Sequence, residues 1–157
     1  MRSFFRILLS ILILGPGFAA TAADIKLEAK LVWGTSDDKG DANYKPIDAA
    51  LAGKLHGMFK WKSYYEITNR TATIPLNTIA SLKMSDQCTL RVKYLGASRV
   101  EVDCIGQGKQ VTKGTSTLEP AKWLVLGGNC TNNTAWFIGL RAIDSKDAAP
   151  QKAISKN

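Results

Sequence analysis

The stretch CTLRVKYLGASRVEVDC, residues 88–104, limits the choice of fold more than any other part of the chain. Cys88, Leu90, Val92 and Tyr94 alternate with Thr89, Arg91 and Lys93. Beyond Leu95-Gly96-Ala97 the alternation resumes, with Val100, Val102 and Cys104 set against Arg99, Glu101 and Asp103. Period two in both arms predicts an antiparallel ribbon with one apolar and one charged face. Such a hairpin is marginal by itself in water, so the apolar face needs a second layer.

Two registers keep the apolar residues together. In one, Tyr94 faces Ser98 and Cys88 faces Cys104; in the other, shifted by two, Arg91 faces Asp103 and Lys93 faces Glu101. Cross-strand ion pairs contribute about 0.2–1 kcal/mol each. A disulfide closing a loop of this length contributes roughly 3 kcal/mol, provided its cysteines stand directly opposite. In an oxidising compartment the first register is therefore expected, with a Cys88–Cys104 disulfide. The rival partner is Cys130, in the loop-like GGNCTNNT; three cysteines leave one thiol over in a monomer.

The compartment is read from the start of the chain. Arg2 and Arg6 precede an apolar run from Ile7 to Leu14, which gives way to Gly15-Pro16-Gly17 and small residues through Ala23. The run is far short of the roughly 20 residues that span a bilayer, and Ala20-Thr21-Ala22 suits signal cleavage. Residues 1–23 are thus expected to be a signal peptide, 24–143 a single β-rich domain and 144–157 a flexible tail. The protein is expected to be secreted or periplasmic, with no membrane span in the mature chain. The formal charge of +8 falls to +6 without the two leader arginines, since residues 1–23 hold no acid.

Residues 25–33 alternate as a half-buried strand, and GTSDDKGDANYKP after it is loop-like. Asp37, Asp38 and Asp41 in that loop lack the spacing of a calcium-binding loop, and no metal or cofactor is expected. Residues 46–59, PIDAALAGKLHGMF, are the one helical segment: Ile47, Leu51, Leu55, Met58 and Phe59 form a stripe, Asp48 is placed as N-cap, and Gly53 and Gly57 lie opposite. Short β-type runs follow: KWKSYYEITN, TATIPL ended by Pro75, TIASLKM, the 88–104 hairpin, KQVTKGTSTL, KWLVLGG and TAWFIGLRAI. GQG at 106–108 reads as a turn. The expected fold is mainly β, an antiparallel β-sandwich or barrel with one short packed helix.

Few residues suggest chemistry. His56 is the sole histidine and is expected at the surface; one imidazole without a C-x-x-C pair argues against zinc. Glu66 and Glu101 are the acids a glycan hydrolase would need. Trp33, Trp123 and Trp136 sit in apolar strands and are expected to be buried, whereas Tyr64, between Lys62 and Glu66 on one strand face, is expected to be exposed. Lys26 and Lys30 are expected on the outer face of the first strand, Lys60 and Lys62 on that of another, and Arg91, Lys93 and Arg99 on the hairpin. If those faces adjoin, they make one basic patch suited to an anionic surface. The expected function is an exported, non-catalytic binding or assembly module that contacts a protein or an anionic cell-envelope component through that patch. The alternative is a cell-wall glycan hydrolase or carbohydrate-binding module. No nucleic-acid motif is present, and nucleic acid is not expected as a partner. Sequons occur at Asn69, Asn129 and Asn132.

Overall fold

The computed structural model describes residues 23–37, 44–131 and 134–143. The expected leader (apart from Ala23), the tail, Asp38, Asp41 and Asn132 lie outside the described residues. The elements are β1 (Ile25–Thr35), β2 (Lys45–Pro46), α1 (Ala49–Met58), β3 (Ser63–Ile74), β4 (Ile79–Lys83), β5 (Cys88–Gly96), β6 (Arg99–Gly106), β7 (Lys109–Thr117), β8 (Leu124–Thr131) and β9 (Thr134–Ala142). They form two antiparallel sheets, β2-β3-β1-β9-β8 (sheet A) and β4-β5-β6-β7 (sheet B). The expected β-sandwich with one helix is the fold found.

The core lies between the sheets. Leu27, Ala29, Leu31, Ile74, Ile138 and Leu140 of sheet A meet Leu82, Leu90, Val92, Tyr94, Val100 and Val102 of sheet B. The other face of sheet A is covered too: Leu51 and Leu55 of α1 pack with Val32, Trp61, Tyr64, Trp123 and Phe137. The Asp48 side chain caps α1, its Oδ1 accepting from the Leu51 amide at 3.0 Å. Met58, placed in the apolar stripe by its spacing, is exposed, because α1 ends there and the chain turns away at Phe59.

Three expectations about the strands are corrected. SYYEITN of the first run and TATI of the second belong to one strand, β3, which accommodates a bulge opposite Leu31 and Val32 and ends before Pro75, while Lys60, Trp61 and Lys62 precede it. Cys130 belongs to β8 rather than to a loop; its side chain is outside the described residues. The hairpin adopts the shifted register: Arg91 faces Asp103, Lys93 faces Glu101, and Cys88 faces Gly106.

The turn sets that register. Ala97 and Ser98 both have positive φ, 49° and 58°, as a two-residue type I′ turn requires, and Gly96, at φ 89°, makes the bulge that lets Leu95 drop out of pairing. Ala-Ser lacks the Asn-Gly signature of such turns, which hid the register. GQG is a turn as expected: Gln107 and Gly108 have φ 50° and 74° between the paired Gly106 and Lys109.

Candidate functional site

The register decides what the cysteines do. Cys88 and Cys104 stand diagonally, not opposite, with their sulfurs 4.0 Å apart as free thiols in contact. A disulfide needs about 2.05 Å between sulfurs, so the expected bridge is not formed in this structure. A hydrogen bond from Cys104 pulls the Cys88 thiol down to about 7, in spite of burial. Cys104 is pushed well above its ordinary value by the same partnership, by burial and by the nearby Asp103.

The basic residues do not converge. Glu28, Lys30 and Val32 project to the helix side of sheet A, and Lys26 shares that side by alternation. Arg91 and Lys93 of β5 and Arg99 of β6 project from the outer face of sheet B, on the far side of the sandwich. Lys60 and Lys62 lie in the α1–β3 connection, Lys60 over the Trp61 ring at 6.0 Å. One continuous patch from all seven is therefore not formed, because the sandwich core separates the two sets.

Lys30 is not a surface residue at all. It is 7% exposed, with its ammonium 2.8 Å from Glu66 Oε2, 3.2 Å from Asp48 Oδ2 and 3.6 Å from Glu28 Oε1. Arg141 binds Glu28 at 2.7 Å, Asn69 donates to Glu28 at 2.8 Å, and Lys45 reaches Glu66 at 3.1 Å. The Trp123 indole N–H donates to Asp48 at 3.3 Å, and the Arg141 guanidinium lies 4.6 Å from the Trp123 ring centroid. Three carboxylates and three cations thus tie the α1 N-cap to β1, β2, β3 and β9. Burial alone would raise the Glu66 carboxyl, but hydrogen bonds and charge from Lys30 and Lys45 hold it below the ordinary carboxylate range. Burial would likewise lower Lys30, yet Glu66, Asp48 and Glu28 together raise it.

This bears on the acids. A general acid holds its proton near neutral pH through a raised pKa, and Glu66 is shifted the other way. Glu101 lies on the opposite side of the sandwich, facing Lys93 and 3.6 Å from Lys113. A cleft of about 640 Å³ opens at one end of the sandwich, lined among others by Lys26, Tyr94, Leu118 and Arg141; Asp24 is the one acid on its described walls. His56 is exposed, as expected, with its ring edge-on to Tyr64 at 4.8 Å.

Outward from the hairpin, sheet B presents a face on which Ser81, Arg91, Arg99 and Lys113 are exposed and Lys93, Glu101 and Asp103 half-buried. Ser81, Arg91, Asp103 and Lys113 form one row across its strands, and Ile79, Lys93, Glu101 and Thr115 the next. Arg91 approaches Asp103 at 3.6 Å. Lys83, Arg91, Lys93, Arg99 and Lys113 outnumber Glu101 and Asp103, so the face has a positive surplus, and no described element packs over it.

Most of the aromatic expectations are reversed. Tyr64 is 5% exposed, under α1, with its hydroxyl donating to the Leu55 carbonyl at 3.3 Å. Its neighbour Tyr65 points the other way and joins Trp33, Trp136 and Tyr44. Trp136 is 43% exposed and Tyr44 39%, and Trp33 is half-buried; of the three tryptophans expected inside, only Trp123 is buried. Trp33 pairs directly with Tyr65 on one side and Trp136 on the other, so the three rings form a row across β3, β1 and β9. Alternation identified the two faces of each strand but not which face the helix would cover. No protein-family model, curated protein or solved structure matches the chain.

Proposed function

We propose that this chain is an exported, non-catalytic binding module, secreted or periplasmic, that holds an anionic cell-envelope component on the outer face of sheet B. The observation that carries the reading is that Arg91, Lys93 and Arg99 project from a sheet face over which no described element packs. Sheet A has its outer face occupied by α1 and the ion cluster, whereas sheet B offers backbone-stiffened cations in register. Cations displayed together on one face attract polyanions, and the attraction weakens as salt screens it. Glu66, held ionised between two ammoniums, suits a structural role better than proton donation.

Retention of the mature protein on a heparin or polyphosphate matrix across a sodium chloride gradient tests this. Retention is expected at low salt and release as salt rises, with the triple variant R91E/K93E/R99E released earlier. The variant K26E/K60E/K62E carries the same change in net charge and is expected to release later than the sheet B variant. Equal release of the two variants assigns retention to net charge alone and removes the sheet B face.

The same export brings the Cys88 and Cys104 thiols before oxidising partners. We propose a disulfide between them in the exported protein; because the present register sets the two cysteines diagonally, closing the 4.0 Å between the sulfurs requires the β5–β6 backbone to shift as well as a disulfide donor to accept the two electrons. Two thiols titrating at these positions in protein purified without reductant would count against it.

A further inference from the structure

The sandwich core ends at Leu31 and Ile138, but sheet A continues for one more row of side chains on the same face. That row is Tyr65, Trp33 and Trp136. Tyr44 joins it from the segment entering β2. Ring centroids are 5.9 Å apart for Trp33 and Tyr65, 6.5 Å for Trp33 and Trp136, and 5.6 Å for Tyr44 and Tyr65, with tilts of 31–40° between the rings. Tyr44 meets Trp33 edge-on at 5.1 Å. Large aromatics cost most when left in water, and four of them share one overhang that the opposing sheet does not cover.

We propose that this aromatic shelf is a binding site for a neutral glycan chain, with the hexopyranose rings lying across Tyr65, Trp33 and Trp136. The inference rests on the preceding reading only in that the chain works by holding a ligand. Its site is a different surface. Three features select the occupant. First, among the described residues neither indole N–H nor either phenol hydroxyl of the shelf is engaged in a hydrogen bond. An acyl chain or an apolar protein segment would bury those four polar groups without partners, at a cost for each, whereas sugar hydroxyls satisfy them. Second, the C–H faces of a pyranose fit aromatic faces, and rings on three neighbouring strands, 5.9 and 6.5 Å apart, offer a chain of sugars more than one contact. Third, charge complementarity favours an uncharged ligand. The rings carry no formal charge, and Lys45, next to Tyr44, has its ammonium on Glu66 at 3.1 Å.

The shelf is stiff. Its three strand residues are fixed by pairing of β1 with β3 and β9, and the other face of those strands is anchored by α1 and the ion cluster. Little ordering is therefore needed on binding, as for other rigid aromatic contact surfaces.

The test uses the mature protein with cellohexaose and chitohexaose as probes, followed by tryptophan fluorescence and calorimetry. Binding of at least one probe is expected in the micromolar to millimolar range, with a fluorescence change. Trp136→Ala and Tyr44→Ala, both at exposed positions, are expected to weaken it at least fivefold each while leaving the melting temperature nearly unchanged. No binding of either probe up to about 10 mM overturns the proposal, and so does binding that Trp136→Ala leaves intact. Self-association of the protein that Trp136→Ala abolishes would give the shelf to a second copy of the chain and also overturns it. Matrix retention measured on the same variants separates the two surfaces. Loss of oligosaccharide binding with retention intact implicates the shelf alone, and absence of both in the wild type removes both readings.

Discussion

Cys88 and Cys104 are in contact in unequal surroundings, Cys104 buried and Cys88 half-buried. Contact with Cys104 draws the Cys88 thiol down to about 7 and pushes Cys104 the other way. In reduced protein, iodoacetamide is expected to modify Cys88 with a midpoint near that pH, and Cys104 hardly at all; Cys104→Ala removes the donor and should move the midpoint up towards the ordinary 9.0. Mass spectrometry of the alkylated peptides over a pH series reads both, and a midpoint unmoved in the variant would contradict the assignment. Lys30 carries a larger share of stability. Its stem crosses an apolar face, and its ammonium meets Glu66, Asp48 and Glu28. Lys30→Met keeps the stem and removes the charge, leaving carboxylates with less compensation. Breaking a buried pair in this way costs roughly 3–5 kcal/mol, which urea denaturation at neutral pH would register as a large fall in midpoint. Individual roles of this sort were the least legible part of the sequence. Lys30 alternates like a surface lysine, and Tyr64 and Tyr65 are adjacent. Only the placement of α1 over one face decides that Tyr64 is buried and Tyr65 reaches the shelf.

At the scale of elements, the apolar cluster on the helix side of sheet A is shaped by absent side chains as much as by present ones. A Cβ on Gly34 of β1 would lie 3.0–3.1 Å from the rings of Phe137, Tyr64 and Trp61, three stiff groups packed against each other. Gly34→Ala is therefore expected to destabilise the fold by about 1–3 kcal/mol through overpacking. Gly53, on the outward side of α1, has nothing within 4 Å of its would-be Cβ. Gly53→Ala should instead stabilise by roughly 0.5–1 kcal/mol, since alanine loses less backbone entropy in a helix. Melting curves of the two variants should shift in opposite directions, and a common direction would refute this picture of the α1 interface. Most elements were readable from periodicity: α1 with its Asp48 cap, the first strand, and the hairpin of β5 and β6. Register was not. The disulfide argument favoured direct opposition of the cysteines, but the I′ turn at Ala97 and Ser98 sets the other alignment, which also brings Arg91 to 3.6 Å from Asp103. The shelf escaped notice because alternation implies a buried face but not how far the covering sheet extends along it.

For the whole molecule, two kinds of adhesion join three layers. The sheets are joined by an apolar core, while α1 is joined to sheet A by an apolar cluster and an ionic one. The ionic part makes stability depend on pH. Asp48 and Glu66 have their folded values lowered from 3.8 and 4.5: burial opposes this, but Asp48 is outweighed by its bond from the Leu51 amide and by Lys30, and Glu66 by Lys30 and Lys45. A depressed folded value means that the unfolded chain takes up protons first on acidification. The contribution is then complete above the ordinary values and is lost as pH falls through the lowered ones. Lys30 is shifted upward, so its contribution is complete below 10.5 and is lost as pH rises through its raised value. From the cluster alone the urea midpoint is expected to be flat from about pH 6 to 8 and to fall below the ordinary carboxylate range; in reduced protein Cys88, lowered to about 7 from 9.0, adds a rise in stability above that pH. A basic chain also gains repulsive charge in acid, which would lower stability without any cluster. Glu66→Gln separates the two effects. It removes one of the titrating partners while leaving the basic surplus, so it should be less stable than the wild type at pH 7 and lose less of its remaining stability on going to pH 3. Parallel midpoint curves for the two proteins would mean that general charge repulsion, and not the cluster beneath α1, governs acid unfolding. Because β1, β3 and β9 carry this cluster on one face and the aromatic row on the other, fluorescence from Trp33 and Trp136 should change in the same transition.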